Sequence, residues 1–292
     1  MTQKQVFGGN WTEAKLMRIR KYLSAYTTAL SKQSFRTAYI DAFAGTGYRQ
    51  LREERKPSEL MFPELLEEDA QSFLEGSAQI ALQTQPRFNK YIFIERDEGR
   101  FGELAKLQEA FPAVAEDIVL VNDDCNSYLQ DLCRKRKWKN NRAVLFIDPF
   151  GMQVEWPTIQ AIASTEAIDL WLLFPLGVAV NRLLRRDGQI DQPLRQRLDL
   201  LFGTPDWYDA FYETTVEQTL FGEETRTRKV AGFDKIGHYF VARLKTVFAG
   251  VAEEPLPLYN SRNNPLYLLC FAAGNPRGAP VAVRIARDVL KK

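Results

Sequence analysis

Histidine is nearly absent from this 292-residue sequence, in which His238 is the only one. One histidine excludes metal sites built from several histidines and argues against a Ser-His-Asp triad. Cysteine is also scarce, and no two cysteines form a Cys-x-x-Cys pair; the three are Cys125, Cys133 and Cys270. Their odd number and loose spacing argue against a disulfide framework and against a zinc site.

Long apolar runs are missing as well. Residues 1–9 are polar and lack the apolar segment of a signal peptide. The longest apolar runs, 167–180 and 265–273, are too short or too interrupted to span a membrane, which takes roughly 20 residues. We therefore expect a protein of the reducing cytoplasm with no membrane partner.

The charges nearly balance, with 39 Lys plus Arg against 37 Asp plus Glu, for a net charge of +2. The overall charge therefore does not indicate a polyanionic partner, but basic residues do cluster locally. The clusters lie within residues 134–139, 182–197 and 226–229. Each is compatible with a solvated surface or with a track for nucleic-acid phosphates.

Apolar segments that favour strands alternate with helical segments along most of the chain. This alternation predicts an α/β fold with a mainly parallel sheet, closed by an antiparallel hairpin. The predicted strands are residues 36–44, 90–95, 117–121, 142–147, 167–174, 251–259 and 266–273. An opening helix is predicted at 11–31, with Thr12 as its N-cap.

Two segments interrupt this alternation. Residues 48–75 are charged and contain prolines, which predicts an exposed insertion after the first strand. Residues 178–230 lose the strand pattern and predict a helical insertion subdomain, with a winged helix as one candidate form. The α/β domain would then comprise residues 1–177 and 231–292.

The first two strand ends carry groups suited to a nucleotide-like ligand. Residues 41–47, DAFAGTG, place Asp41 before a turn in which Gly45 and Gly47 let the backbone approach a ligand closely. An acid beside a glycine turn suits a cationic ligand better than a phosphate. Glu95 closes the second strand, where a carboxylate can accept hydrogen bonds from ribose hydroxyls; a solvated charge is the alternative.

The next two strand ends suggest recognition of a base. Asp123 and Asp124 could hold the amino group of an adenine, although one of them could simply cap the following helix. The fourth strand ends in Asp148, Pro149 and Phe150. A carboxylate beside a rigid turn and an aromatic ring fits a flat, polar substrate; a plain strand-ending turn is the alternative.

These motifs, taken in order, resemble class I S-adenosylmethionine (SAM)-dependent methyltransferases, and more closely the three-Cys-motif partner (TcmP) family. The resemblance covers most of residues 8–275. It is carried by GGNWT with KL at 8–16, DAFAGTG at 41–47, GS with AL at 76–82, FIE at 93–95, DCN at 124–126, FIDPFGM at 146–152, and DLW with FP at 169–175.

The resemblance implies a Rossmann-like methyltransferase sheet and a set of roles. The SAM site would comprise Thr12, Lys15, Asp41, Phe43, Gly45, Gly47, Glu95, Asp123 and Asp124. Asp148, Pro149 and Phe150 would face the methyl acceptor. The Asp-Pro-Phe-Gly sequence is similar to that of guanine-N2 tRNA methyltransferases, which favours an exocyclic amine of a base as the acceptor, in DNA or RNA.

Two other functions are compatible with the same sequence. The chain could be a catalytically silent, SAM-binding partner of a three-cysteine, radical-SAM-like protein, as the family name implies. It could also be a metal-dependent nuclease that uses Asp41, Asp124 and Asp148. The glycine turn together with Glu95 favours the methyltransferase over the nuclease.

Overall fold

The structure is a computed structural model that describes residues 10–42, 76–149, 151–220, 222–260 and 262–291. Within these ranges the helices are α1 (Asn10–Leu30), α2 (76–83), α3 (Glu98–Ala110), α4 (Cys125–Lys135), α5 (Trp156–Ser164), α6 (Gln192–Phe202), α7 (Trp207–Phe211), α8 (Phe233–Lys245) and α9 (Ala279–Leu290). The strands are β1 (Arg36–Ala42), β2 (Lys90–Ile94), β3 (Ile118–Val121), β4 (Asn141–Ile147), β5 (Ile168–Phe174), β6 (Tyr212–Thr219), β7 (Gly222–Lys229), β8 (Gly250–Val251), β9 (Leu256–Tyr259) and β10 (Pro265–Ala273).

The central sheet has the order β3-β2-β1-β4-β5-β10-β8, and β9 also pairs with β10. Strands β1 to β5 are parallel to one another, whereas β10 is antiparallel to β5, β8 and β9. The first five strands follow the order of a doubly wound sheet, in which successive strands are added on one side of β1 and then, from β4 onward, on its other side. The predicted α/β class, mostly parallel with antiparallel strands at the C-terminal end, is confirmed.

Helices cover both faces of this sheet, which is why its strands read as nearly continuous apolar runs. On one face, Tyr39 and Trp171 belong to a buried cluster that includes Tyr22 of α1. On the other face, Ile40 and Leu172 belong to a second cluster that reaches α4, α5 and α8. Every residue of β5 is buried, as expected for a strand inside the sheet.

The N-terminal boundary of α1 differs from the prediction. The helix begins at Asn10, so Thr12 lies inside its first turn and the prediction that it is the N-cap is wrong. The apolar spacing that identified this helix starts only at Leu16. Spacing of that kind locates a helix but not its first residue, which depends on the cap geometry.

Residues 178–230 are not helical throughout. Helices α6 and α7 lie in this segment, but residues 212–229 form the antiparallel hairpin β6–β7. The helical prediction is wrong for these residues, because a strand exposed on both faces lacks the apolar alternation that marks a strand in sequence. Phe202 and Phe211 share a cluster with Phe174 of β5, so the helices before the hairpin pack on the sheet. The boundaries of a separate subdomain stay a prediction.

The end of α6 supplies a test of this packing. Gly203 adopts a positive φ of 70°, and a Cβ on it would lie 2.1 Å from the ring of Trp156. We expect Gly203→Ala to lower the free energy of unfolding by about 2 kcal/mol or more, measured by urea denaturation, because strain and overlap add. Gly102→Ala in α3, where a Cβ meets nothing within 4 Å, is the control. It should be neutral or stabilising by up to ~1 kcal/mol; equal losses in both variants would contradict this account.

Candidate functional site at the carboxyl edge of the sheet

The carboxyl ends of β1, β2 and β4 bring three predicted acids to one edge of the sheet. Ala42, near the end of β1, is in register with Ile94 on one side and Ile147 on the other. Glu95 and Asp148 directly follow these two residues and therefore flank the exit of β1. This is the edge at which doubly wound sheets bind ligands.

The two carboxyl oxygens of Glu95 differ in their hydrogen bonding. The side chain is 1% exposed, and its Oε1 accepts a hydrogen bond from the Asp97 amide at 2.7 Å. Its Oε2 is buried and has no hydrogen-bond partner among the residues that the structure describes. Burial raises the pKa of Glu95 to about 7, although the Asp97 amide and Arg100 oppose the shift. An unpaired buried carboxylate oxygen is costly, and the described residues provide no hydrogen-bond donor to this atom.

The backbone around Glu95 is fixed by Asn122, a residue for which the sequence suggested no individual role. Asn122 Nδ2 donates to the carbonyl oxygens of Glu95 and Arg96 at 3.0 and 3.1 Å. The Glu95 amide in turn donates to the Val121 carbonyl at 2.9 Å. The ends of β2 and β3 are therefore clamped together, and the direction of the Glu95 side chain is set before any ligand arrives.

Asp41 is buried beneath α2 near the end of β1. Its Oδ2 accepts hydrogen bonds from Ser77 Oγ at 2.7 Å and from the Tyr39 hydroxyl at 2.9 Å. Burial raises the pKa of Asp41 to about 7; Asp148 raises it further, and the two hydroxyl donors and Lys15 lower it. The carboxylate thus ties α2 to β1.

Lys15 of α1 forms a largely buried ion pair with Asp148. Its Nζ lies 2.9 Å from Asp148 Oδ2, and the side chains are 1% and 19% exposed. Removing one partner of such a pair leaves a costly uncompensated charge. Lys15 is therefore in contact with the predicted acceptor side of the site, and its predicted role in binding the cofactor stays a prediction.

The third strand end is partly structural. Asp124 is the N-cap of α4 and accepts a hydrogen bond from the Ser127 amide at 3.0 Å, whereas Asp123 is exposed and accepts from the Asp124 amide. Capping thus accounts for one oxygen of Asp124. Asn126 joins α4 to the loop after β4, donating to the Gln153 carbonyl at 2.8 Å.

Several predicted residues lie outside the described part of the chain. These are Phe43, Gly45, Gly47, Phe150 and the insertion 48–75, and the side chain of Thr12 is likewise not described. Pro149 lies in the described part, and its carbonyl accepts a hydrogen bond from the Gly151 amide at 3.1 Å. The predicted site residues whose side chains the structure describes are Lys15, Asp41, Glu95, Asp123, Asp124, Asp148 and Pro149.

All three basic clusters have acidic neighbours, and within residues 182–197 Arg185 pairs with Asp187. Arg134 and Lys135 both pair with Asp131 at the end of α4, a helix that runs back from the carboxyl edge toward the opposite edge of the sheet. Arg226 and Arg228 pair with glutamates of their own hairpin. Compensation by neighbouring acids weakens the attraction of these clusters for phosphates.

Two further features concern metals and membranes. No three His, Cys, Asp or Glu side chains in the described ranges lie where together they could hold a metal ion. Among the helices of those ranges, none has both the length and the apolar character needed to cross a bilayer.

Comparison with known proteins gives only distant structural similarity. No protein-family model matches the chain, and neither does any curated protein. Protein LPL1258 from Legionella pneumophila, of the family DUF519, is 13% identical with a TM-score of 0.44, over 97% of this chain and 92% of the other. A spermidine synthase from Thermotoga maritima is 12% identical with a TM-score of 0.39, over 91% and 60%. A candidate methyltransferase, yhhF, from Escherichia coli is 15% identical with a TM-score of 0.28, over 73% and 87%.

These values are too low to bear on activity or substrate. The fold assignment therefore rests on the strand order of the chain itself, and the resemblance to the TcmP family stays a prediction.

The buried carboxyl of Glu95 predicts a dependence of stability on pH. Between its ordinary pKa of 4.5 and its folded value of about 7, the unfolded chain has released a proton that the folded chain retains. Stability should therefore fall as the pH rises through this window and level off above it. We expect Glu95→Gln to reduce this fall, by about 1.4 kcal/mol for each unit of pKa difference removed.

Urea denaturation between pH 4.5 and 8 measures this effect. Asp41 and Asp169 have similarly raised pKa values, so a weaker slope should persist in the variant. Glu103→Gln, on the exposed surface of α3, should keep the wild-type slope. Parallel pH curves for wild type and Glu95→Gln would show that the carboxyl of Glu95 does not titrate in this window.

Proposed function

We propose that this protein is a SAM-dependent methyltransferase that acts on an exocyclic amino group of a nucleic-acid base. One observation carries the proposal: the buried Oε2 of Glu95, at the carboxyl edge of a doubly wound sheet, has no hydrogen-bond partner within the described part of the chain. A ribose presents two hydroxyl donors, and a carboxylate at the end of the second strand is where such folds accept them.

The described residues fit an adenosyl cofactor. Glu95 would hold the ribose, Asp123 would contact the adenine, and Asp41 would orient the segment that cradles the methionine part. When bound, SAM supplies an activated methyl group on a sulfonium. The clamp by Asn122 means that Glu95 needs little reorganisation to accept this ligand.

The acceptor side is built on Asp148. Its Oδ2 is held by Lys15, and the group is partly exposed, so the carboxylate can still accept a hydrogen bond from an incoming amine. Such a bond localises the nitrogen lone pair, which is otherwise delocalised into the base. It also stabilises the positive charge that develops on the nitrogen during transfer. Pro149 limits the freedom of the turn that carries Asp148.

This chemistry suits a chain with one histidine. The work of the protein is to align the nucleophile with the methyl group and to exclude water, rather than to supply a strong acid or base. A base within a duplex would have to be flipped out of the stack to reach this edge.

Binding of the cofactor is the first test. We expect calorimetric titration with SAM and S-adenosylhomocysteine to give binding that weakens at least 10-fold in Glu95→Gln, since a hydrogen bond to a charged group contributes about 1.5–3 kcal/mol. Glu103→Gln is the matched control and should bind as wild type does. Equal affinity in wild type and Glu95→Gln would remove the observation on which the proposal stands.

Methyl transfer is tested separately on Asp148. In a tritium-methyl assay over DNA and RNA, we expect Asp148→Asn to lower the transfer rate by roughly 10²-fold or more while the affinity for SAM stays near that of wild type. Transfer at the wild-type rate in Asp148→Asn would exclude its role in orienting the acceptor. SAM binding without transfer to any nucleic acid would instead favour the silent partner of a three-cysteine protein.

A further inference from the structure

The hairpin β6–β7 extends from the body of the protein as a ribbon of two strands. The two strands form their own sheet, and within the described residues neither is paired with any other strand. Strand β7 is exposed along most of its length. Because a two-stranded ribbon is at best marginally stable in water, an added strand would stabilise it.

One edge of the ribbon is available for such a strand. The Lys229 amide donates to the Arg186 carbonyl at 3.0 Å and therefore points away from β6. Amides two residues apart on a strand point to the same side, so those of Glu223, Thr225 and Thr227 also point outward. Among the described residues, the edge is closed at Lys229 by Arg186 and is exposed over residues 223–226, and Gly188 lies against the side chain of Thr227.

The charges on β7 are complementary to those of a second β7. Its sequence is GEETRTRK, with acids in the first half and bases in the second. If two copies pair antiparallel about a two-fold axis at Thr225, Glu224 of each copy lies opposite Arg226 of the other. In the same register Glu223 lies opposite Thr227, so the outward amides of both copies meet outward carbonyls.

We propose that this protein forms a two-fold symmetric dimer in which the β7 strands of two copies pair antiparallel about Thr225. Such an interface is isologous, with the same patch used by both copies. The proposal does not rest on the proposed function. The ribbon 212–229 carries four acidic and three basic residues, which suits a second copy better than a nucleic acid, whose phosphates require an excess of positive charge.

Sedimentation of the full chain over a range of concentrations tests the proposal. We expect wild type to shift from a monomer of 33.6 kDa to a dimer as concentration rises. Thr225→Pro removes an outward amide from β7 and should sediment as a monomer throughout. Val216→Pro is the matched control, because Val216 is paired with Thr225 in the ribbon and its amide points to the opposite edge. It should still dimerise.

A charge exchange tests the register independently of proline. Arg226→Glu places glutamates opposite each other and should weaken dimerisation at least 10-fold. Adding Glu224→Arg to Arg226→Glu restores opposite charges across the axis and should recover most of the affinity. A wild-type chain that is monomeric throughout, a dimer that survives Thr225→Pro, or a dimer lost in Val216→Pro but not in Thr225→Pro would each overturn the proposal.

Discussion

Parallel pairing of β1 with both of its neighbours is the constraint on which the site depends. It brings the ends of β2 and β4 to either side of the exit of β1, so that Glu95 and Asp148, separated by more than fifty residues in sequence, flank one opening. Antiparallel pairing of either neighbour would send its acid to the opposite edge. The helices on both faces exist in this arrangement because parallel strands need crossover connections.

Burial of acids at this edge has opposite effects on stability and on binding. Asp41 and Glu95 are removed from water, which destabilises their ionised forms and raises their pKa values. Asp41 is compensated by two hydroxyl donors and Asp148 by Lys15. Among the described residues, the Glu95 carboxyl accepts a hydrogen bond at only one of its two oxygens. An unpaired buried acceptor destabilises the protein without ligand. A ligand that donates a hydrogen bond to it removes this cost, which favours binding.

The charges of the hairpin β6–β7 are exposed, unlike the buried acids at the sheet edge. Its glutamates and arginines are exposed, where each ion pair contributes little to stability, but their order along β7 can still select a partner and a register. Under the two proposals, burial at the sheet edge sets affinity for a small ligand, whereas the charge pattern of the ribbon favours association between copies. The two regions follow different strands, β2 and β4 in one case and β7 in the other.

The sequence by itself predicted one strand at 251–259, where the structure has β8 and β9. It determined the helices and parallel strands of the α/β core to within a few residues, because buried parallel strands leave continuous apolar runs bounded by turn residues. It also placed acids at the ends of those strands. Only the tertiary structure decided that Asp124 rather than Asp123 caps α4, that Lys15 pairs with Asp148, and that one oxygen of Glu95 has no partner among the described residues. The last two depend on contacts between distant segments. The hairpin escaped prediction because strand propensity without burial leaves no periodic signal.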